Sequence, residues 1–266
     1  MIYKTIKLKD INKNINSEAV LDVYVPSPLF DAPTFSVKKP LLIIPGGAYE
    51  FVSEIEGEPV AIEFMARGFA TFVLKYSVGP YFDEYLPIKE AFAAIAFIKE
   101  NSEIFNLDLS NFSVVGFSAG GHLTATLGMM HQDKNIAKMI GKDVEILKID
   151  NVILSYPVIT MQKEITHQGT MYNRTLEKPD LVEKYSIEKH VTKNYPRAFI
   201  WATENDDIVD VINSKLMSES CKNAGIDTEI NIFPDGPHGL SVILDKKYIN
   251  YKVWVENATN FINTMC

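Results

Sequence analysis

An α/β fold with a mostly parallel central sheet and helices on both faces is what the sequence predicts, from three observations. Strand-like and helix-like stretches alternate along nearly the whole chain, which is the signature of βαβ units. One early stretch, LLIIP at 41–45, is apolar throughout, as expected of a strand covered on both faces. The 266 residues, 47% hydrophobic and 23% charged, suit one large domain with an ample core, and they hold no repeat, low-complexity segment or Pro/Gly-rich linker.

The elements follow in order. Residues 19–26 (AVLDVYVP) alternate apolar and polar, the period of a half-buried strand. The strand at 41–45 runs into Gly46 and Gly47, a turn signal. Residues 58–67 are expected to be helical and to end at Gly68, and 69–76 (FATFVLKY) to be a strand. Residues 84–100 carry apolar positions Leu86, Ile88, Phe92, Ile95, Ala96 and Ile98 at helical spacing. A short strand at 113–117 (SVVGF) precedes a helix that holds His122 to Met130, and 152–157, 198–203 and 228–233 give three more strands. Residues 248–265 read as an amphipathic closing helix. The exception is 159–194, a polar and irregular segment holding His167, Gly169 and Tyr172. It is too long for a simple connection and is expected to form a lid or cap over a site within a single domain, 1–266.

Charge excludes one function class. Lys and Arg number 26 against 34 Asp and Glu, a net charge of −8, and no basic cluster offers a phosphate backbone a surface. Cys221 and Cys266 stand alone, so neither a zinc site nor a disulfide framework is expected. The first ten residues, MIYKTIKLKD, have no apolar run behind them and do not read as a signal peptide. The longest apolar stretch, Ala91 to Ile98, is eight residues against the ~18 of a membrane span, so no membrane partner is expected and a cytoplasmic location is.

The chemistry centres on Gly116-Phe117-Ser118-Ala119-Gly120, a G-x-S-x-G match between an apolar strand and a helix. The flanking glycines permit the sharp turn that lifts a serine out of the sheet, with its hydroxyl at a helix N-terminus. Such a nucleophile needs a base to take its proton and an acid to orient that base. On this kind of sheet they follow in the order Ser, Asp or Glu, His, each after a later strand. Glu204-Asn205-Asp206-Asp207 follows the strand at 198–203, and Pro234-Asp235-Gly236-Pro237-His238-Gly239 follows the strand at 228–233. His238, between Pro and Gly in a loop too mobile for a core histidine, is read as the base. Glu204, Asp206 and Asp207 compete for the acid. Asp206 is favoured because the next helix is expected to begin near Val209, leaving Asp206 in the turn and Asp207 free to serve as an N-cap. Asp210 is read as a first-turn helix charge and Asp235 as a turn residue. The Ala119 N–H, just after the nucleophile, is one oxyanion donor, and the small residues of Pro45-Gly46-Gly47-Ala48-Tyr49 stand where a second is needed. His122 reads as a helix-packing residue. His131, His167 and His190 lack nearby ligand partners, so no metal site is expected. Tyr49, Tyr76, Tyr81 and Tyr172 are candidates for the pocket wall or the core.

PGGAY at 45–49, GFSAGGHL at 116–123, WATENDDIVDVINS at 201–214 and PHGL at 237–240 together resemble the α/β-hydrolase esterases of the acetyl-esterase and carbohydrate-esterase (acetyl xylan esterase-like) type, from about residue 20 to the end of the chain. The resemblance implies Ser118 as nucleophile, Asp206 as acid and His238 as base, with Gly47, Ala48 and Ala119 as oxyanion donors. It implies a cofactor-free hydrolase of small esters, with acetylated sugars as the preferred substrate. Three departures stand out: Pro45 where His is common, Ala48 where Gly is common, and Asp210 where Pro is frequent. The first two leave the backbone N–H groups of the oxyanion loop in place. The rival readings are an amidase or peptidase such as an aryl formamidase, and a non-catalytic ligand-binding member of the same fold. The oligomeric state is left open, a homodimer included.

Overall fold

The computed structural model describes residues 1–29, 31, 37–79, 83–242 and 247–264. Among them, eight strands form one sheet: β1 (Ile2–Lys7), β2 (Val20–Val25), β3 (Lys39–Ile44), β4 (Phe69–Lys75), β5 (Ser113–Phe117), β6 (Asn151–Ser155), β7 (Arg197–Thr203) and β8 (Thr228–Phe233). The spatial order is β1-β2-β4-β3-β5-β6-β7-β8. β1 and β4 each pair antiparallel with β2, and every pairing from β4 through β8 is parallel. This is the mostly parallel α/β-hydrolase arrangement that the motifs implied.

The main helices are α1 (Glu58–Met65), α2 (Leu86–Glu100), α3 (Ser118–Met130), α4 (Gln168–Thr175), α5 (Pro179–Lys184), α6 (Ile212–Asn223) and α7 (Val253–Asn263). Successive residues of β3 point to opposite faces and so feed two cores. Leu42 and Ile44 join Ile88, Phe92, Leu123 and Leu127 of α2 and α3. Leu41 and Ile43 join Val60 and Phe64 of α1 and Trp254 and Val255 of α7. All of these side chains are fully or almost fully buried, each worth about 1.5–3 kcal/mol for the larger apolar ones. Covered on both faces, β3 shows no polar alternation, which is why its apolar run was readable as a strand.

Four expectations need correction. β1 was not expected at all; as an edge strand it leaves four of its six side chains exposed, so it carries almost no apolar pattern. The closing helix begins at Val253, after a short 3-10 turn over Ile249–Lys252. The segment 159–194 is neither irregular nor polar throughout, since it contains α4 and α5. It also opens on Ile159, Thr160 and Met161, all fully buried, with the Ile159 and Thr160 N–H groups donating to Asn213 Oδ1. Helix α6 starts at Ile212 rather than near Val209, with consequences for the acidic turn before it. Tyr81 and Cys266 lie outside the described residues.

Candidate active site

Parallel pairing aligns the carboxyl ends of the strands: Ile44 lies beside Gly116, Phe117 beside Ser155, Ser155 beside Trp201 and Thr203 beside Phe233. The loops that leave those ends therefore meet along one rim, where open α/β sheets place their ligand sites. Among the described residues, five non-glycine residues in the left-handed region belong to these loops: Ala48, Tyr49, Ser118, Tyr156 and Ser241. Such strain, of order 1–3 kcal/mol per residue, persists only where the surroundings impose it, and it clusters at functional sites.

Ser118, at φ 52°, opens α3 directly after β5 and has little exposure. Its Oγ is 2.8 Å from His238 Nε2, and His238 Nδ1 is 2.7 Å from Asp206 Oδ2. The Asp206 carboxylate is almost completely buried. Because an ionised carboxylate only accepts, His238 carries its proton on Nδ1, and the Nε2 lone pair faces the Ser118 hydroxyl.

The turn chemistry separates the three acidic candidates. Asp206 Oδ1 accepts the N–H groups of Ile208 and Val209, both at 2.9 Å, which leaves Oδ2 for His238. Asp207 does not cap a helix; its Oδ1 accepts the His238 backbone N–H at 3.1 Å, and this bond holds its carboxyl below the usual range. Glu204 turns outward to Lys215. Asp210 lies ahead of α6, not in its first turn, and accepts the Ile212 N–H. The His238 loop is more firmly held than a Pro-Gly setting suggested. The Gly236 N–H donates to Asn205 Oδ1, and Thr203 Oγ1 donates to the Gly236 carbonyl.

The loop at 45–49 runs directly against the elbow: a Cβ on Gly46 would come 2.9 Å from Ser118 Cβ. It is held through its carbonyls. Gly46 O accepts from Ser53 N, Gly47 O from Glu50 N and Phe51 N, Ala48 O from Asn173 Nδ2 in α4, and Tyr49 O from Gly79 N. The Gly46 N–H donates to Glu56, while the N–H groups of Gly47 and Ala48 meet no acceptor among the described residues. Ala119 lies in the first turn of α3, where N–H groups have no intrahelical acceptor.

Other candidates lie elsewhere. Tyr49 and Tyr76 are core residues, and Tyr172 is exposed. His122 is buried in α3, with Tyr49 Oη and the Tyr185 carbonyl each 2.9 Å from its two ring nitrogens. Burial pushes its imidazole pKa down to about 3. The unfolded chain protonates this group below about pH 6.5 and the native one does not, so its neutral form stabilises the fold above that pH, and the contribution is lost as pH falls from 6.5 towards 3. Between pH 7 and 5, the unfolding free energy of the parent in urea should drop by about 2 kcal/mol more than that of a His122→Gln variant; equal drops would remove His122 as the cause. His167 caps α4, its Nδ1 accepting the Thr170 N–H, and burial lowers its pKa, with His238 close enough to add to the effect. Sequence reasoning did not single out Glu56, Tyr156 or Asn173; the Tyr156 and Asn173 side chains reach their hydrogen-bond partners across 85 residues or more, and Glu56 joins nearby Gly46 to distant Tyr156. Among the described residues no three His, Cys, Asp or Glu side chains gather as a metal site, and no helix is long and apolar enough to cross a membrane.

Comparison with known proteins places this geometry among relatives. An endo-1,4-β-xylanase B of Butyrivibrio fibrisolvens is 36% identical over 213 residues, covering 77% of this chain and 33% of the relative. An acetylxylan esterase of Xylanibacter ruminicola is 27% identical over 203 residues, covering 74% of this chain and 40% of the relative. The chain thus spans a third to two fifths of the length of these curated relatives. The crystal structure of an acetyl ester-xyloside bifunctional hydrolase from Caldicellulosiruptor lactoaceticus superposes with a TM-score of 0.83 at 28% identity, covering 98% of this chain and 96% of that one. The BD-FAE family model matches residues 21–221, a stretch that takes in the 45–49 loop, the elbow and the Asp206 turn and stops short of His238. On that match, and on the rim that these segments build together, the chain belongs to the BD-FAE family.

Proposed function

We propose that this chain is a serine hydrolase of small carboxylic esters, acetyl esters of carbohydrates above all. One observation carries the reading: the unbroken Asp206–His238–Ser118 hydrogen-bond chain at 2.7 and 2.8 Å. Ser118 Oγ attacks the ester carbonyl while His238 Nε2 takes its proton, and Asp206 holds the resulting imidazolium. The amides of Gly47, Ala48 and Ala119 receive the oxyanion, and the carbonyl-side anchoring of the 45–49 loop keeps them oriented before substrate arrives. His238 then protonates the departing alcohol, and water repeats the sequence on the acyl-enzyme. The protein's own groups supply the nucleophile, base, orienting acid and oxyanion donors. In this reading the chain is one domain and residues 159–194 are its cap, supported by the Asn173 bond to the Ala48 carbonyl and by the Gly169 Cα, whose added Cβ would lie 3.9 Å from Ala48 Cβ. The sugar part of the proposal draws on the acetylxylan esterase and the acetyl ester-xyloside hydrolase among the similar proteins.

The test pairs labelling with substrate choice. A fluorophosphonate probe should attach to the peptide that contains Ser118, and rates on p-nitrophenyl esters should be highest for acetate and fall as the acyl chain lengthens. Acetylated xylo-oligosaccharides should release acetate. No label on Ser118 would overturn the serine mechanism. Turnover of aryl acetates with no release from acetylated sugars would overturn the sugar assignment, and faster cleavage of matched anilides than of esters would make the protein an amidase.

A further inference from the structure

Glu56 is a buried carboxylate with no part in the reaction just described. It closes a short helical turn, Glu54–Glu56, between β3 and α1, and it is 3% exposed. Oε2 accepts the Gly46 N–H at 2.8 Å, and Oε1 accepts the Tyr156 hydroxyl at 2.8 Å, with the Ser53 side chain as a further donor. The Tyr156 oxygen in turn accepts the Ser241 N–H at 3.1 Å. Ser241, three residues beyond His238, is itself tied down, its Oγ donating to the Ile55 carbonyl and its own carbonyl accepting from Trp254 Nε1. The Tyr156 ring meets the His238 ring edge to face, with centroids 4.9 Å apart. One carboxylate therefore joins the oxyanion loop, the residue packed against the His238 ring, and the chain that follows His238.

The donors around it favour its charged form. The Gly46 N–H donates to Oε2 and the Tyr156 hydroxyl to Oε1, so both carboxyl oxygens accept, the arrangement that suits an ionised carboxylate. Burial raises the Glu56 pKa, and the hydrogen bonds from Tyr156 and Gly46 act against that rise, as does a positive charge on His238. Among the described residues, the groups that face His238 are Asp206 and Asp207 from the β7 turn, Tyr156 from the end of β6, Ser118 from the elbow, Glu56 behind Tyr156, and His167 at the head of α4. Of the carboxylates, Asp206 and Asp207 bond His238 directly, whereas Glu56 reaches it across the Tyr156 ring.

We infer that Glu56 and Tyr156 are positioning residues for the esterase reaction: the pair holds the His238 ring and the Gly47–Ala48 amides in mutual register, and the Glu56 charge favours the imidazolium that forms during attack. The inference rests on the triad proposed above. Asp206 orients His238 from its Nδ1 side, and the Glu56–Tyr156 pair supports the ring's face and the oxyanion loop together, so that base and oxyanion donors keep one spacing as the tetrahedral centre forms.

Three variants test it: Glu56→Gln, Tyr156→Phe and the double variant, each measured for kcat and KM on p-nitrophenyl acetate, the pH dependence of kcat/KM, and melting temperature. A glutamine must turn its oxygen to the Gly46 N–H, which leaves the Tyr156 hydroxyl without its acceptor. Each single variant is expected to lose about 10- to 100-fold in kcat with KM within about threefold, as for a positioning role acting on the transition state. The double variant should lose no more than the worse single one, because both remove the same bond. In Glu56→Gln the acid limb of kcat/KM should move to lower pH, since His238 loses a neighbouring negative charge and stays unprotonated further down. Unchanged kcat, an acid limb that stays in place, or losses that multiply in the double variant would each overturn the inference. If Glu56→Gln does not fold, Tyr156→Phe, which keeps the ring against His238, decides through its own kcat and KM. Failure of the triad itself would be seen separately, as full activity in Ser118→Ala.

Discussion

Ser118→Ala is expected to lower kcat on p-nitrophenyl acetate by about 10³- to 10⁶-fold while KM and the melting temperature stay near those of the parent. The hydroxyl faces the His238 Nε2 lone pair at 2.8 Å, and no other hydroxyl is bonded to that nitrogen among the described residues. The oxyanion amides remain in the variant, so some rate above that of free water should survive. Asp206→Asn should cost about 10⁴-fold for a different reason. The Ile208 and Val209 N–H groups hold the Oδ1 position, so the asparagine oxygen must stay there and its NH₂ must face His238. That donor forces the imidazole proton from Nδ1 to Nε2, where it points at Ser118 and cannot accept the serine proton. Combining the two substitutions should add little to Ser118→Ala, because the three side chains act as one unit. A Ser118→Ala rate within tenfold of the parent would mean that another group attacks the ester.

The second large effect is on folding. Gly120→Ala should destabilise the protein by at least about 3 kcal/mol and lower the melting temperature by about 6 °C or more, with loss of soluble expression as the extreme outcome. A Cβ at this position would sit 2.2 Å from the Ile44 carbonyl oxygen and 2.3 Å from that of Pro45, backbone atoms at the end of β3 that no rotamer change can move. Gly116→Ala meets the same obstacle from the other side, at 2.1 Å from Thr124 Oγ1 and 2.3 Å from the Gly120 carbonyl. The two glycines let α3 lie close enough to β3 and β5 for Ser118 to clear the sheet. Thermal unfolding followed by circular dichroism checks this: a melting temperature within about 2 °C of the parent would mean that the elbow has room the distances deny it.

Much of this site was readable from neighbouring residues. The glycines around Ser118 and the apolar run before it are contiguous, and the turn they make depends on local sterics. The order of Ser118, the acidic turn and His238 after successive strands follows from a sheet whose buried strands are marked by their apolar composition. These features also carried the correct fold class. Edge strand β1 stayed hidden because an edge buries little and so needs little apolar pattern. The choice of Asp206 over Asp207 was only favoured, since both lie in one turn; the direction of each carboxylate depends on which backbone N–H groups the turn presents, and on where α6 begins. Glu56 was one glutamate among several in a polar loop. What distinguishes it is a hydrogen bond to Tyr156, a hundred residues away. A buried charge is specified by its partners, and partners brought together by the closing of a sheet leave no spacing in the chain from which they could be read.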